Sequence, residues 1–140
     1  MIKQSIQSQK RFSSIQPGAI ALLLLTAGAH LYLGTQPDEE LHFWFLLNGL
    51  GYLVLLAPFL LPQLGTIHAA TRKVLAGYTI LTILLWVFLG SPAEGRFDPF
   101  DVLVKAIEVL LVVLLMLEER TAAQQQVMVK QAVLVRERRG

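Results

Sequence analysis

Cysteine is absent from the 140 residues. That excludes disulfides and thiolate metal sites, and leaves the redox compartment open. Charge is sparse as well: Asp, Glu, Lys and Arg make up 16% of the chain, against roughly 25% in soluble domains. No phosphate-cradling glycine loop, helical metal-ligand pair or nucleophile–base set occurs. The three histidines, His30, His42 and His68, are spread too widely along the chain to suggest a ligand set. The expectation is therefore a non-enzymatic protein with no cofactor, no metal and no nucleic-acid partner.

What the chain has instead is apolar residue, 54% of the total, gathered into four blocks. These are residues 18–34 (GAIALLLLTAGAHLYLG), 41–61 (LHFWFLLNGLGYLVLLAPFLL), 74–90 (VLAGYTILTILLWVFLG) and about 100–117. A helix that is apolar on every side belongs in a membrane or deep within a large protein, and a chain of this length offers no such interior. About 20 helical residues, with ~17 as a lower limit, cross the ~30 Å of hydrocarbon. The connections TQPDEE, PQLGTIH and SPAEGRFDP carry turn residues, and their shortness joins antiparallel neighbours. The expected fold is all-α: an up-down-up-down bundle of four transmembrane helices over 18–117, after an N-terminal tail (1–17). Pro58 is expected to kink the second helix near its end without stopping the span.

Ten of the twelve Lys and Arg residues fall on one side of this topology: Lys3, Lys10 and Arg11, then Arg72 and Lys73, then Arg120, Lys130, Arg136, Arg138 and Arg139. The other side holds Arg96 together with Asp38, Glu39, Glu40, Glu94, Asp98 and Asp101. Counting basic residues by side puts both termini in the cytoplasm and suggests the plasma (inner) membrane of a bacterium or archaeon. A basic start, a short apolar run and the small residues Ala27–Ala29 also fit a cleavable signal peptide. The apolar HLYLG that follows completes a membrane-length run and favours an uncleaved first helix.

Each span contributes a polar group to the outer half. By helical rise, His30 and Lys105 lie about 6 Å deep, Asn48 and Glu108 about 10 Å and Thr82 about 12 Å. Ionisable groups at such depth are candidates for function, yet polar residues in membrane helices commonly serve as interhelical glue. Lys105 and Glu108, three apart, share a helix face and can pair. His30, Asn48, Thr82, Lys105 and Glu108 thus form the candidate intramembrane site, for a proton, an ion or a small ligand. Gly49 and Gly51 suit close helix packing. Tyr32, the aromatics of 42–45 and Trp86 suit an interfacial belt.

The tail at 118–140, EERTAAQQQVMVKQAVLVRERRG, is not membrane-like. Met128, Ala132 and Val135 fit a helical face, whereas Val127, Val129, Val133 and Val135 alternate as a strand would. A helical continuation is expected. Arg136, Arg138 and Arg139 are candidate contacts for anionic lipid headgroups. An apolar-faced tail without its own core suggests lipid, a second copy or a protein partner.

The strings AGAHLYLG, LNGLGYL, GYTILTILLW and VKAIEVLLVVLL resemble a group of small four-helix integral membrane proteins of bacteria and archaea. The likeness runs from residue 18 to 118 and implies the fold alone, since no activity or residue role comes with it. The expected function is that of a subunit or accessory of a larger membrane assembly. The alternative is a small carrier or channel built on the polar layer.

Overall fold

The computed structural model describes residues 15–37, 40–61 and 65–138. The chain is all-α, and among the described residues there is no strand. Four helices follow one another: α1 (Gln16–Gly34), α2 (His42–Phe59), α3 (Gly65–Leu89) and α4 (Pro99–Glu137), with a 3-10 turn at Ser91–Glu94 before α4. Contacts link α1 with α2 and α4, and α3 with α2 and α4, closing a four-membered ring. Neighbours run antiparallel: His30 meets Phe45 between α1 and α2, Phe59 meets His68 between α2 and α3, and Arg72 meets Glu118 between α3 and α4. One end of the bundle carries the connections at 35–41 and 90–98 and is acidic. The other carries the α2–α3 connection and the start of the tail and is basic.

Local chemistry accounts for the start of α4 and the end of α1. Asp98 caps α4, its Oδ1 accepting from Phe100 N–H at 2.8 Å and Asp101 N–H at 3.3 Å. Pro99 enters where no hydrogen-bonding N–H is required, and Asp101 puts negative charge on the positive end of the helix dipole. At the close of α1, Thr35 turns its hydroxyl back onto the Tyr32 carbonyl at 2.7 Å. Two glycines set the approach of α2 to its neighbours. A Cβ on Gly49 would come 2.8 Å from Leu31 Cγ, and one on Gly51 would collide with the Tyr78 hydroxyl.

Three boundaries differ from those expected. Pro58 lies in the last turn of α2, which ends one residue later at Phe59, so it accompanies a stop and not a mid-span kink. α3 begins at Gly65, not near residue 74. The stretch TIHAATRK, read from sequence as connection, is helical because His68, Thr71 and Arg72 turn to the bundle interior. α4 then runs unbroken for 39 residues, about 58 Å at 1.5 Å per residue, and the alternating valines of the tail are helical. The N-terminal tail with Lys3, Lys10 and Arg11, as well as Asp38, Glu39 and Arg139, lies outside the described residues.

The distribution of polarity is the reverse of a water-soluble bundle. Ten apolar residues are buried, among them Leu23, Tyr52, Phe59, Leu75, Leu111 and Leu115, and ten polar or charged residues are buried with them. Large apolar side chains cover the outside, from Leu24 and Leu25 on α1 to Val54 on α2, Phe88 on α3 and Val109 on α4; Val54 and Phe88 are each 70% exposed. α1, α2 and α3 are long and apolar enough to cross a membrane. The corresponding part of α4 differs in carrying Asp101, Lys105 and Glu108.

Candidate functional site: a buried carboxylate held by three helices

Glu108 is fully buried on the inward stripe of α4, which also carries Val104, Leu111, Leu115 and Glu118. Its Oε2 accepts from Lys105 Nζ at 2.8 Å, one turn earlier on the same helix. Its Oε1 accepts from the Thr26 hydroxyl of α1 at 3.1 Å and faces His30 Nε2 at 3.5 Å. The Tyr52 hydroxyl of α2 lies 3.4 Å from the same oxygen and 3.0 Å from Thr82 Oγ1 of α3. Thr82 gives its proton to the Thr79 carbonyl at 2.8 Å. Its oxygen is therefore an acceptor, and the single Tyr52 proton is shared between Thr82 and Glu108. Three helices meet at one carboxylate, and α3 joins them through the Thr82–Tyr52 contact.

Histidine geometry sets the proton positions. His30 Nδ1 lies 2.8 Å from the Thr26 carbonyl oxygen, which can only accept, so Nδ1 carries a hydrogen. Nε2 is then bare in the neutral ring. Facing Glu108 Oε1, it makes an attractive contact only when a proton sits on one of the two. The ring is wedged against Phe45 and Tyr52, at 6.0 and 5.8 Å between centroids. The network therefore has one optional proton place, with Lys105 fixed on the opposite carboxylate oxygen.

Of the five residues expected to form the layer, His30, Thr82, Lys105 and Glu108 come together and Asn48 does not. Asn48 is half-buried; its Oδ1 is buried without a hydrogen-bond partner, and its carbonyl accepts from Tyr78 at 3.2 Å. Tyr52 takes the role foreseen for it. Helical side chains lean toward the N-terminus, so the Tyr52 ring carries its hydroxyl about a turn toward the acidic end. A depth count at Cα positions misses this. Thr26 was missed differently: the rise that puts Thr82 about 12 Å deep puts Thr26 at the same level.

A second buried cluster occupies the basic end. Glu118 Oε1 lies 3.3 Å from His68 Nε2 and 3.8 Å from Arg72 Nη1, while His68 stacks on Phe59 at 4.9 Å. Glu118 Oε2, His68 Nδ1 and Arg72 Nε are buried with no hydrogen-bond partner. Sequence reading had put Arg72 in a connection and Glu118 in the tail. The signal was spacing: 68, 72, 75, 79, 82 on α3 and 104, 108, 111, 115, 118 on α4 repeat at intervals of four and three, the seam of packed helices. Leu75, Leu111, Leu115 and Phe59 fill the layer between the clusters. Among the described residues, no group of three His, Asp or Glu gathers as a metal site would require. Arg136 and Arg138 lie at the far end of α4, beyond the bundle.

No protein-family model, curated protein or solved structure matches this chain. The likeness noted from its apolar strings therefore stands as a likeness only.

Proposed function

We propose that this chain is a four-span integral membrane protein of the plasma membrane, with both termini on the cytoplasmic side, acting without catalysis as a subunit or accessory of a larger assembly. The observation that carries the membrane reading is the inverted polarity, with charged and hydroxyl groups inside and large aliphatic side chains outside. Lipid is the solvent that favours such a surface. The charges that set α4 apart support its membership of the span set, because Lys105 and Glu108 face the interior and satisfy one another. A buried Glu108 that accepts from Thr26, Tyr52 and Lys105 on three helices suits a clasp that fixes helix register. The tail, whose Val127, Met128, Val133 and Leu134 are exposed, gives the assembly reading its support.

The test is purification of the tagged full chain in mild detergent from its native membrane, alongside a chain ending after Arg120. The expected result is a stoichiometric companion protein, or a defined homo-oligomer, with the full chain and its loss on truncation. A monodisperse monomer from both would overturn the assembly reading. The second reading is a small carrier handling a proton, ion or small ligand at the Glu108 network, favoured by the optional proton between His30 and Glu108. In reconstituted vesicles that reading requires a flux in the native chain which Glu108→Gln abolishes.

A further inference from the structure

The acidic end contains a cavity of about 1140 Å³. Its size is slightly above the range for small-molecule pockets, roughly 300–1,000 Å³. Aromatic rings make much of its wall: Tyr32 from α1, Phe45 from α2, Trp86 from α3, Phe97, and Phe100 from α4. Tyr32 and Phe100 meet edge to face at 6.0 Å. An interfacial belt accounts for rings that point away from the bundle, such as Phe43 and Trp44, each more than 60% exposed. It does not account for Phe45 and Trp86, which are half-buried in the wall of the recess.

The charge of the recess has a sign. Among the described residues, Glu40, Asp98 and Asp101 line it together with Arg96. Aromatic faces carry negative quadrupole charge and attract cations, Trp most strongly, so walls and carboxylates favour the same kind of guest. An apolar wall also disfavours a small hydrated ion, whose water shell it cannot replace. The floor of the recess adjoins the Glu108 network. Phe45 lines the cavity and packs on His30, and Asp101 stands one turn before Lys105 on α4.

We propose that this recess is a binding site for hydrophobic organic cations, with Trp86, Phe45 and Tyr32 as the aromatic walls and Glu40 and Asp101 as the charge determinants. The site is independent of the assembly reading, because it holds or fails in the purified chain alone.

The chain has two tryptophans, so Trp44→Phe leaves Trp86 as the sole indole reporter within the recess. Tetraphenylphosphonium and tetraphenylborate are probes of the same shape and opposite charge, titrated against this variant in detergent with Trp86 emission as the readout. The expected result is a saturable change with the phosphonium and none with the borate. Asp101→Asn should weaken phosphonium binding by roughly tenfold, while Glu119→Gln at the opposite end leaves it unchanged. Should Asp101→Asn destabilise the chain, Glu40→Gln carries the same comparison. A change that is linear in probe, equal for both probes, or indifferent to both recess variants overturns the site.

Discussion

The bundle builds almost the same group of residues twice, ten positions apart on one face of α4, and treats the two copies differently. Near the acidic end a carboxylate, a histidine and a lysine are completed by hydroxyls from Thr26 and Tyr52, so that α1, α2 and α4 all touch the carboxylate. At the basic end a carboxylate, a histidine and an arginine meet at 3.3 and 3.8 Å, and polar atoms of all three are unpartnered. Burial alone does not make a polar cluster structural. Saturation does, because an ion that loses water without gaining partners costs several kcal/mol, whereas one whose lone pairs are filled can hold helices in register. The Glu108 network is accordingly the firm point of the bundle. The Glu118 cluster is the looser one, where α4 leaves its neighbours for the tail.

Substitution sharpens this contrast, and the largest effect is expected at Lys105. Lys105→Ala leaves Glu108 buried beside a weaker partner set and should lower stability by about 3–5 kcal/mol, read by thermal unfolding in detergent. Adding Glu108→Gln to Lys105→Ala should recover much of that loss, because the unpaired charge is gone. If the double variant is as unstable as the single, Lys105 acts through packing and not through the pair. Gly51→Ala follows, at about 1–3 kcal/mol, because the new methyl meets the Tyr78 hydroxyl. Combining it with Tyr78→Phe should relieve the clash.

Smaller effects separate the two clusters. Glu108→Gln by itself should cost less than Lys105→Ala, about 1 kcal/mol, since the amide keeps an acceptor for Thr26 and Tyr52 and the long Lys105 side chain can swing its ammonium outward to the acidic end. Glu118→Gln should cost less than Glu108→Gln, because fewer good bonds are lost and Arg72 is 3.8 Å from the carboxylate. A reversed order in parallel melts would refute the assignment of clasp and loose end. Glu119→Gln should be nearly silent, since its partner Lys73 is exposed and such surface pairs are worth at most ~1 kcal/mol.

Much of this was legible in the residues. Four apolar blocks, short turn-rich connections and the Lys105–Glu108 spacing pointed to four helices and to a shared polar level, and three of the four helices are long and apolar enough to cross a membrane. What escaped were positions where a side chain's polar atom lies far from its backbone, or where charge was read as an address. Tyr52 counted as an aromatic although its hydroxyl reaches the acid. Arg72 and Lys73 read alike as marks of sidedness in the sequence, yet both belong to α3, with Arg72 facing the interior and Lys73 facing outward. Asn48 sits near the expected level, but level says nothing of rotation about the helix axis.

The decisive question is whether the first half of α4 crosses the bilayer despite its ionisable residues, because three spans or four follow from that alone. The chain lacks native cysteine, so single cysteines at Ala93, before α4, and at Gln125, in the tail, can be labelled with a membrane-impermeant maleimide in intact cells and in inverted vesicles. The account predicts labelling of Ala93→Cys from outside only and of Gln125→Cys from the cytoplasmic face only. Labelling of both from the same face would contradict it.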